Sequence, residues 1–286
     1  MLKNHTKSFS RRRLLGGFVV SACLAAGAGP ALAMVDTELD TPYVQTPDTV
    51  VTAMLDLARV GPDDYVIDLG AGDGRLLIEA ARRGAQGFGV DIDPRLVELA
   101  NRNAQRAGVA GRARFLEQDL FVTDLSPATV LTLYLLPAVN LKLLPTVLAL
   151  KPGTRIVSHD YGFGDWPPDQ RITVEAPNKP VNALKTSDLL YFVVPAQVAG
   201  TWTGQSGQGP WQLVLNQQFQ TVSGQLTWQG QTFTIPATRL DGAMLALRVG
   251  AGDSASTWQL QFDDHQLRGE VTQAGSPIAV QARREP

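Results

Sequence analysis

The sequence predicts an α/β domain built on a mainly parallel sheet, followed by a smaller antiparallel all-β domain. Three observations predict it. From residue 42 to about 195, short apolar runs alternate with helical patterns, as in a sheet whose strands are joined by crossover helices. A turn with glycines at alternate positions, Gly70, Gly72 and Gly74, links the first apolar run to the helical pattern after it. Beyond Pro195 the residues alternate apolar and polar with period two, and Gly or Asp-Gly interrupts them every eight to twelve positions.

Residues 1–33 stand apart from both domains. Lys3, Lys7, Arg11, Arg12 and Arg13 form a basic head, residues 14–29 a mild apolar core, and Ala31-Leu32-Ala33 a small-x-small cleavage pattern. Ser10-Arg11-Arg12-Arg13-Leu14-Leu15 resembles the twin-arginine export signal, whose pathway carries folded proteins. A Sec signal or an uncleaved anchor is the plainer reading, and Val20-Ser21-Ala22-Cys23 also resembles a lipoprotein box. The expected location is the periplasm or cell envelope, or the cytoplasm if the leader does not act. Membrane contact is expected only through an uncleaved leader.

Each later element has its own signal. Thr46-Pro47-Asp48 opens a helix with a capping hydroxyl, a first-turn proline and an acid near the positive dipole end. It runs to about Arg59, where Gly61-Pro62 stops it. Strands are expected at Tyr65–Leu69, Gln86–Asp91, Arg112–Glu117, Thr129–Leu135 and Arg155–His159. Helices are expected at Asp73–Arg83, Pro94–Ala107 and from Pro137 to about Lys151. Arg171–Glu175 and Leu189–Val194 read as a closing pair of strands. Residues 198–286 read as a barrel or sandwich of seven or eight strands. Trp202, Trp211, Trp228 and Trp258 are expected to fill its core, with ligand binding as the second reading.

Composition excludes several function classes. The leader holds five of the 25 basic residues and none of the 27 acidic ones, so the remainder carries a net charge of −7. That disfavours a nucleic-acid partner. The single cysteine, Cys23, lies in the leader, which excludes a disulfide or catalytic thiolate beyond it. His159 and His265 are the only histidines after the leader, so no histidine-rich metal site is expected.

The glycine turn lets the backbone approach a ligand closely and aims helix N–H groups at it. The dinucleotide pattern needs a third glycine at the place Arg75 occupies, and no Gly-Lys-Ser/Thr follows for a phosphate loop. The tighter spacing after the acid Asp68 suits S-adenosylmethionine (SAM), which presents an amino acid and a sulfonium. Asp91, at the end of the second expected strand, is placed to accept both ribose hydroxyls. Asp93, before Pro94, reads as a helix cap. Asp119 is placed to accept from the adenine amino group, with Leu120 or Phe121 against the ring.

The stretches PYVQTP (42–47), DLGAGDGR (68–75), VDIDP (90–94), LYLLP (133–137) and SHDYGFGDW (158–166) resemble class I SAM-dependent methyltransferases, which have a Rossmann-like sheet. More narrowly, they resemble a bacterial group related to the ATP-synthase c-subunit lysine N-methyltransferases. The resemblance covers 42–194. Gln45 stands where the group carries a second proline, and residues 198–286 have no counterpart in it.

The resemblance implies SAM as cofactor and a protein lysine or a small amine as acceptor. In-line methyl transfer needs positioning and a neutral nucleophile, which an apolar, aromatic pocket favours. Tyr43, Tyr134, Phe163 and Trp166 are expected to build that pocket. Tyr134 is expected to orient the acceptor, with a core aromatic as the bland alternative. His159 and Asp160 are candidates for a basic pair, against a local structural role. A different reading keeps the pocket for binding SAM or another nucleoside and gives the work to the β domain in the cell envelope.

Overall fold

The computed structural model describes residues 41–180, 184–252 and 255–285. The leader features, including the twin-arginine pattern and Cys23, lie outside the described residues.

The sheet domain begins with helix α1 (Asp48–Leu57) and strand β1 (Tyr65–Leu69). Then come α2 (Arg75–Arg82), β2 (Gln86–Asp91), α3 (Pro94–Arg106), β3 (Ala113–Glu117) and β4 (Val130–Leu133). Helix α4 (Pro137–Leu148), β5 (Arg155–His159), β6 (Gln170–Glu175) and β7 (Thr186–Val193) complete it. The strand order is β3-β2-β1-β4-β5-β7-β6. Strands β1 to β5 run parallel, and β7 and β6 close the edge antiparallel.

Sequence boundaries move slightly at the helix starts. Pro47 takes the cap position of α1, and its carbonyl accepts from the N–H groups of Val50 and Val51 at 2.9 and 3.0 Å. The expected capping hydroxyl, Thr46, lies one residue outside. Gly74 caps α2 with a left-handed φ of 82°, so the helix begins two residues later than Asp73. Asp93 caps α3 as expected, accepting from the Arg95 N–H at 2.9 Å.

Alternation within the strands feeds two cores. Val66, Val130 and Val157 face α1, α2 and α3, while Ile67, Leu131 and Ile156 face α4 with Val139, Leu143 and Val147. Strands buried on both faces read as continuous apolar runs, which is why they were legible.

Strands β8 (Gly200–Ser206), β9 (Gly209–Gln218), β10 (Thr221–Trp228) and β11 (Gln231–Asp241) open the second domain. Strands β12 (Met244–Val249), β13 (Ser256–Asp263), β14 (Gln266–Gln273) and β15 (Ser276–Arg284) finish it. The eight form a closed antiparallel barrel, in which β15 pairs with β8 and no edge is left. Trp202, Trp211, Trp228 and Trp258 are all buried inside it. Trp211 and Trp228, opposite each other on β9 and β10, each meet Trp258 edge-on at 5.3 Å. These tryptophans fill the core rather than line a binding surface.

The barrel is joined to the sheet domain by specific polar contacts. The Trp166 indole Nε1 donates to Gln220 Oε1 at 2.9 Å, and Gln220 Nε2 donates to the Pro167 carbonyl at 2.8 Å. Arg239 pairs with the buried Asp169 at 2.7 Å, and the Ala196 N–H donates to the Gly242 carbonyl at 2.8 Å. Gln220 is itself buried, so removing it would strand the indole N–H, a loss of about 1–3 kcal/mol.

Candidate active site

Strand register brings the expected residues to one edge. Leu69 pairs with Val90 on one side and Leu133 on the other, Asp91 with Glu117, and Leu133 with Ser158. The next residues along the parallel strands, Gly70, Asp91, Glu117, Tyr134 and His159, therefore stand in one row, and Asp119 and Asp160 follow just beyond the ends of their strands at the same edge. Strand order reverses direction beside β1, and clefts in such sheets form at that point, outside the carboxyl ends.

The glycine turn leaves no room for side chains. Gly70, Gly72 and Gly74 have φ values of 73°, 54° and 82°. A β-carbon on Gly70 would lie 2.9 Å from Leu135 Cδ2, one on Gly72 2.5 Å from the Tyr43 ring, and one on Gly74 2.6 Å from Phe115. Asp91 holds the turn from the next strand, accepting from the Gly72 N–H at 2.9 Å and the Asp93 N–H at 3.0 Å.

Tyr43 lies over this turn and is half exposed. Partial burial, and then the neighbouring Asp73 charge, push its phenol pKa above the ordinary value. Gln45 donates to Asp73 Oδ2 at 3.1 Å, and Arg75 donates to the Thr46 carbonyl at 2.7 Å and to Asp73 at 2.8 Å. Burial acts to raise the Asp73 pKa, but hydrogen bonds from Arg75 and Gln45 outweigh it and hold it below the ordinary value. Arg75, which stands where a dinucleotide site has glycine, thus ties the 42–47 segment to the turn. Sequence reasoning missed this role for Asp73 and Arg75, although the DGR triplet was its signal.

Asp68 lies behind the turn, 2% exposed, and accepts from the Thr132 hydroxyl at 2.7 Å. Burial is the main cause that pushes its pKa up to about 7, with Asp91 and Asp73 adding repulsion. Asp119 is exposed, and its Oδ1 caps the short turn Leu120–Val122 through the Phe121 N–H at 2.8 Å.

Tyr134 sits one residue past β4, with its ring 3.8 Å from that of His159. Burial first, then the charge and hydrogen bond of Asp160, raise its phenol pKa. Asp160 has a left-handed φ of 62°, which aspartate tolerates better than most residues. Its Oδ1 accepts from the Asp188 N–H at 3.1 Å, and its Oδ2 pairs with the Lys179 ammonium. Lys179 is 2% exposed and also donates to the Thr186 carbonyl at 3.0 Å. Sequence reasoning missed Lys179, since it comes from the β6–β7 connection, nineteen residues from Asp160.

Three expectations change. His159 is fully buried, with Nε2 2.8 Å from the Ser187 hydroxyl, and burial lowers its pKa to about 4. A buried, weakly basic imidazole is a poor proton acceptor, so the geometry favours a packing role under Tyr134. Phe163 and Trp166 do not line a pocket either. Both are at most 1% exposed, packed with Phe192, and Trp166 faces Phe219 at the barrel junction. Asn140 of α4, also missed, donates to the carbonyls of Tyr161 and Gly162 at 3.1 and 3.2 Å and so shapes the loop after β5.

The residues present suit SAM at the turn. The turn admits close backbone approach because three of its residues have no side chain, and the Asp91 carboxylate stands beside it at the end of β2.

Comparison with known proteins agrees. A family model described as the ANTKMT methyltransferase domain matches residues 68–170. The chain is 44% identical over 140 residues to a protein-lysine N-methyltransferase of Saccharolobus islandicus, covering 48% of this chain and 87% of that one. The chain belongs to this methyltransferase family. It is a SAM-dependent methyltransferase. An ATP-synthase c-subunit lysine N-methyltransferase of Xenopus laevis is 31% identical over 157 residues, 54% of this chain and 68% of that one. A solved RNA methyltransferase from Salinibacter ruber, in complex with S-adenosyl-L-homocysteine, is 46% identical with a TM-score of 0.49, covering 54% and 96%. Among the described residues no cluster suited to a metal ion is found.

Asp68 gives a stability test in this methyltransferase. Its folded-state pKa of about 7 exceeds the unfolded 3.8, so its contribution is fully present below pH 3.8 and is lost as pH rises through 7. Asp68→Asn should therefore stabilise the protein more at pH 8 than at pH 5, by on the order of 2–3 kcal/mol. Thermal unfolding at the two pH values checks this; an equal shift at both would contradict the buried, reluctantly ionised carboxyl.

Proposed function

We propose that the chain transfers the methyl group of SAM to the side-chain amine of a protein lysine. The observation that carries this is the Asp160 carboxylate, beside Tyr134 and already holding an ammonium, at the same sheet edge as the glycine turn. Both relatives named for lysine methylation support the acceptor class.

In this reading the backbone of Gly70, Gly72 and Gly74 receives the methionine end of SAM, and Asp68 faces its amino group. Asp91 accepts from the ribose hydroxyls through the oxygen lone pairs left by Gly72 and Asp93. Asp119 accepts from the adenine amino group, and Tyr43 closes over the turn. SAM supplies an electrophilic methyl group: the S–C bond breaks as an N–C bond forms, and the electron pair stays on sulfur. Tyr134 and Asp160 orient the amine, and the rings of Tyr43, Tyr134 and His159 limit water. The bound ammonium must first lose a proton to solvent; the apolar rings favour that loss and the Asp160 charge opposes it, and the resulting neutral amine is the nucleophile. His159 stays neutral and holds the Tyr134 ring.

Labelled SAM with single-lysine peptides tests the reading. The wild type should transfer label to lysine, and Tyr134→Phe should lower kcat by roughly ten- to a hundredfold, as expected for lost orientation. Transfer only to other nucleophiles would sink the lysine assignment.

The leader supports a second part of the proposal, export of the folded enzyme by the twin-arginine route to act on an envelope protein. Folded export can carry bound SAM, which is made in the cytoplasm. Arg11→Lys with Arg12→Lys should then shift the protein from the periplasmic to the cytoplasmic fraction; an unchanged distribution would refute this route.

A further inference from the structure

Lysine is scarce in this chain. Residues 41–285 contain sixteen arginines and four lysines, Lys142, Lys151, Lys179 and Lys185. Two of the four lie in the connection between β6 and β7, and antiparallel pairing fixes where that connection goes. His159, the last residue of β5, pairs with Leu189 near the start of β7, and Thr186 at the start of β7 pairs with Glu175 at the end of β6. The connection therefore lies at the same edge as the glycine turn.

Lys179 projects from it into the candidate acceptor position. Its ammonium meets the Asp160 carboxylate and the Thr186 carbonyl, and its backbone is held by N–H donation to the Ala176 carbonyl at 2.9 Å. Lys185 adds a hydrogen bond to the Lys179 carbonyl at 2.7 Å. Asp160 in turn touches Tyr134, and His159 Nε2 is 3.6 Å from its Oδ2. A carboxylate, a carbonyl and aromatic rings around an ammonium are the groups an incoming lysine needs.

A structural reason alone explains this arrangement poorly. Burying an ammonium costs desolvation, and a buried ion pair seldom stabilises more than a packed apolar pair would. Where this chain needs a cation for a structural contact at this edge it uses arginine, as in Arg75 on Asp73 and Arg95 on Asp93.

We propose that the Asp160 carboxylate and the Thr186 carbonyl form the subsite for the acceptor ammonium, and that Lys179 is the chain's own occupant of it. This rests on the amine-acceptor reading above. A substrate lysine must displace the Lys179 side chain, so Lys179 determines the apparent acceptor affinity and admits only acceptors whose other contacts compensate. Lys179 is thus a specificity-determining residue and not a methyl acceptor in the reaction.

An occupant present about nine-tenths of the time weakens the apparent affinity for a competitor about tenfold. Lys179→Met keeps the length and volume of the side chain without the ammonium. Initial rates with labelled SAM and single-lysine peptides should show KM for peptide about tenfold lower in Lys179→Met, with kcat not reduced. SAM affinity, measured by calorimetry, should be unchanged. Lys179→Arg keeps a cation on Asp160 and should not lower KM.

A mere strut for Asp160 predicts the opposite split: kcat falls in Lys179→Met while KM stays or rises, and that result overturns the proposal. If the wild type binds SAM but methylates no lysine peptide, the lysine assignment fails on its own. Titration of n-butylammonium then still decides the subsite. Tighter binding to Lys179→Met than to the wild type upholds it, and equal binding refutes it.

Discussion

The active edge depends on a turn with no space for a β-carbon. Gly72 passes so close under Tyr43, and Gly74 so close to Phe115, that any side chain would force the neighbouring aromatic away. All three glycines are also left-handed, a conformation that costs other residues energy. Closure of this turn lets Asp91 reach the Gly72 N–H from β2, and lets Arg75 anchor the 42–47 segment from α2. If the turn opened, Asp91 would lose its contact with the Gly72 N–H, and Tyr43 would lose the surface on which it rests.

The opposite half of the site is braced from elsewhere. The loop after β5 carries Asp160 and Tyr161 and then turns inward, burying Phe163 and Trp166. Gln220, from the barrel, binds both Trp166 and Pro167, and Asn140, from α4, binds the carbonyls of Tyr161 and Gly162. The barrel thus contributes to the methyltransferase domain by fixing the far end of an active-site loop. Its own interior is occupied by tryptophans and aliphatic side chains.

Features encoded locally were legible in the sequence. The glycine turn, the strand-end acids and the helix starts at Pro94 and Pro137 each depend on a few neighbouring residues, and they fall within two positions of where they were expected. The barrel showed itself through period-two alternation, since each of its strands buries one face. Contacts across long separations were not legible. Lys179 meets Asp160 only because β6 and β7 fold back beside β5, and Ser187 meets His159 for the same reason. Phe163 and Trp166 looked like pocket aromatics because nothing in the sequence placed Phe192 of β7 against them or the barrel against Trp166. His159 was correctly located at a strand end, but its full burial, which removes its basicity, is a property of packing.

Calorimetric titration of SAM into the protein, beside Asp91→Ala, tests the account most directly, because Asp91 closes the turn and is the residue proposed to accept from the ribose. The account predicts saturable binding by the wild type and at least a tenfold weaker affinity in the variant. Equal affinity in the two, with both proteins folded, would contradict it and place the cofactor's ribose elsewhere.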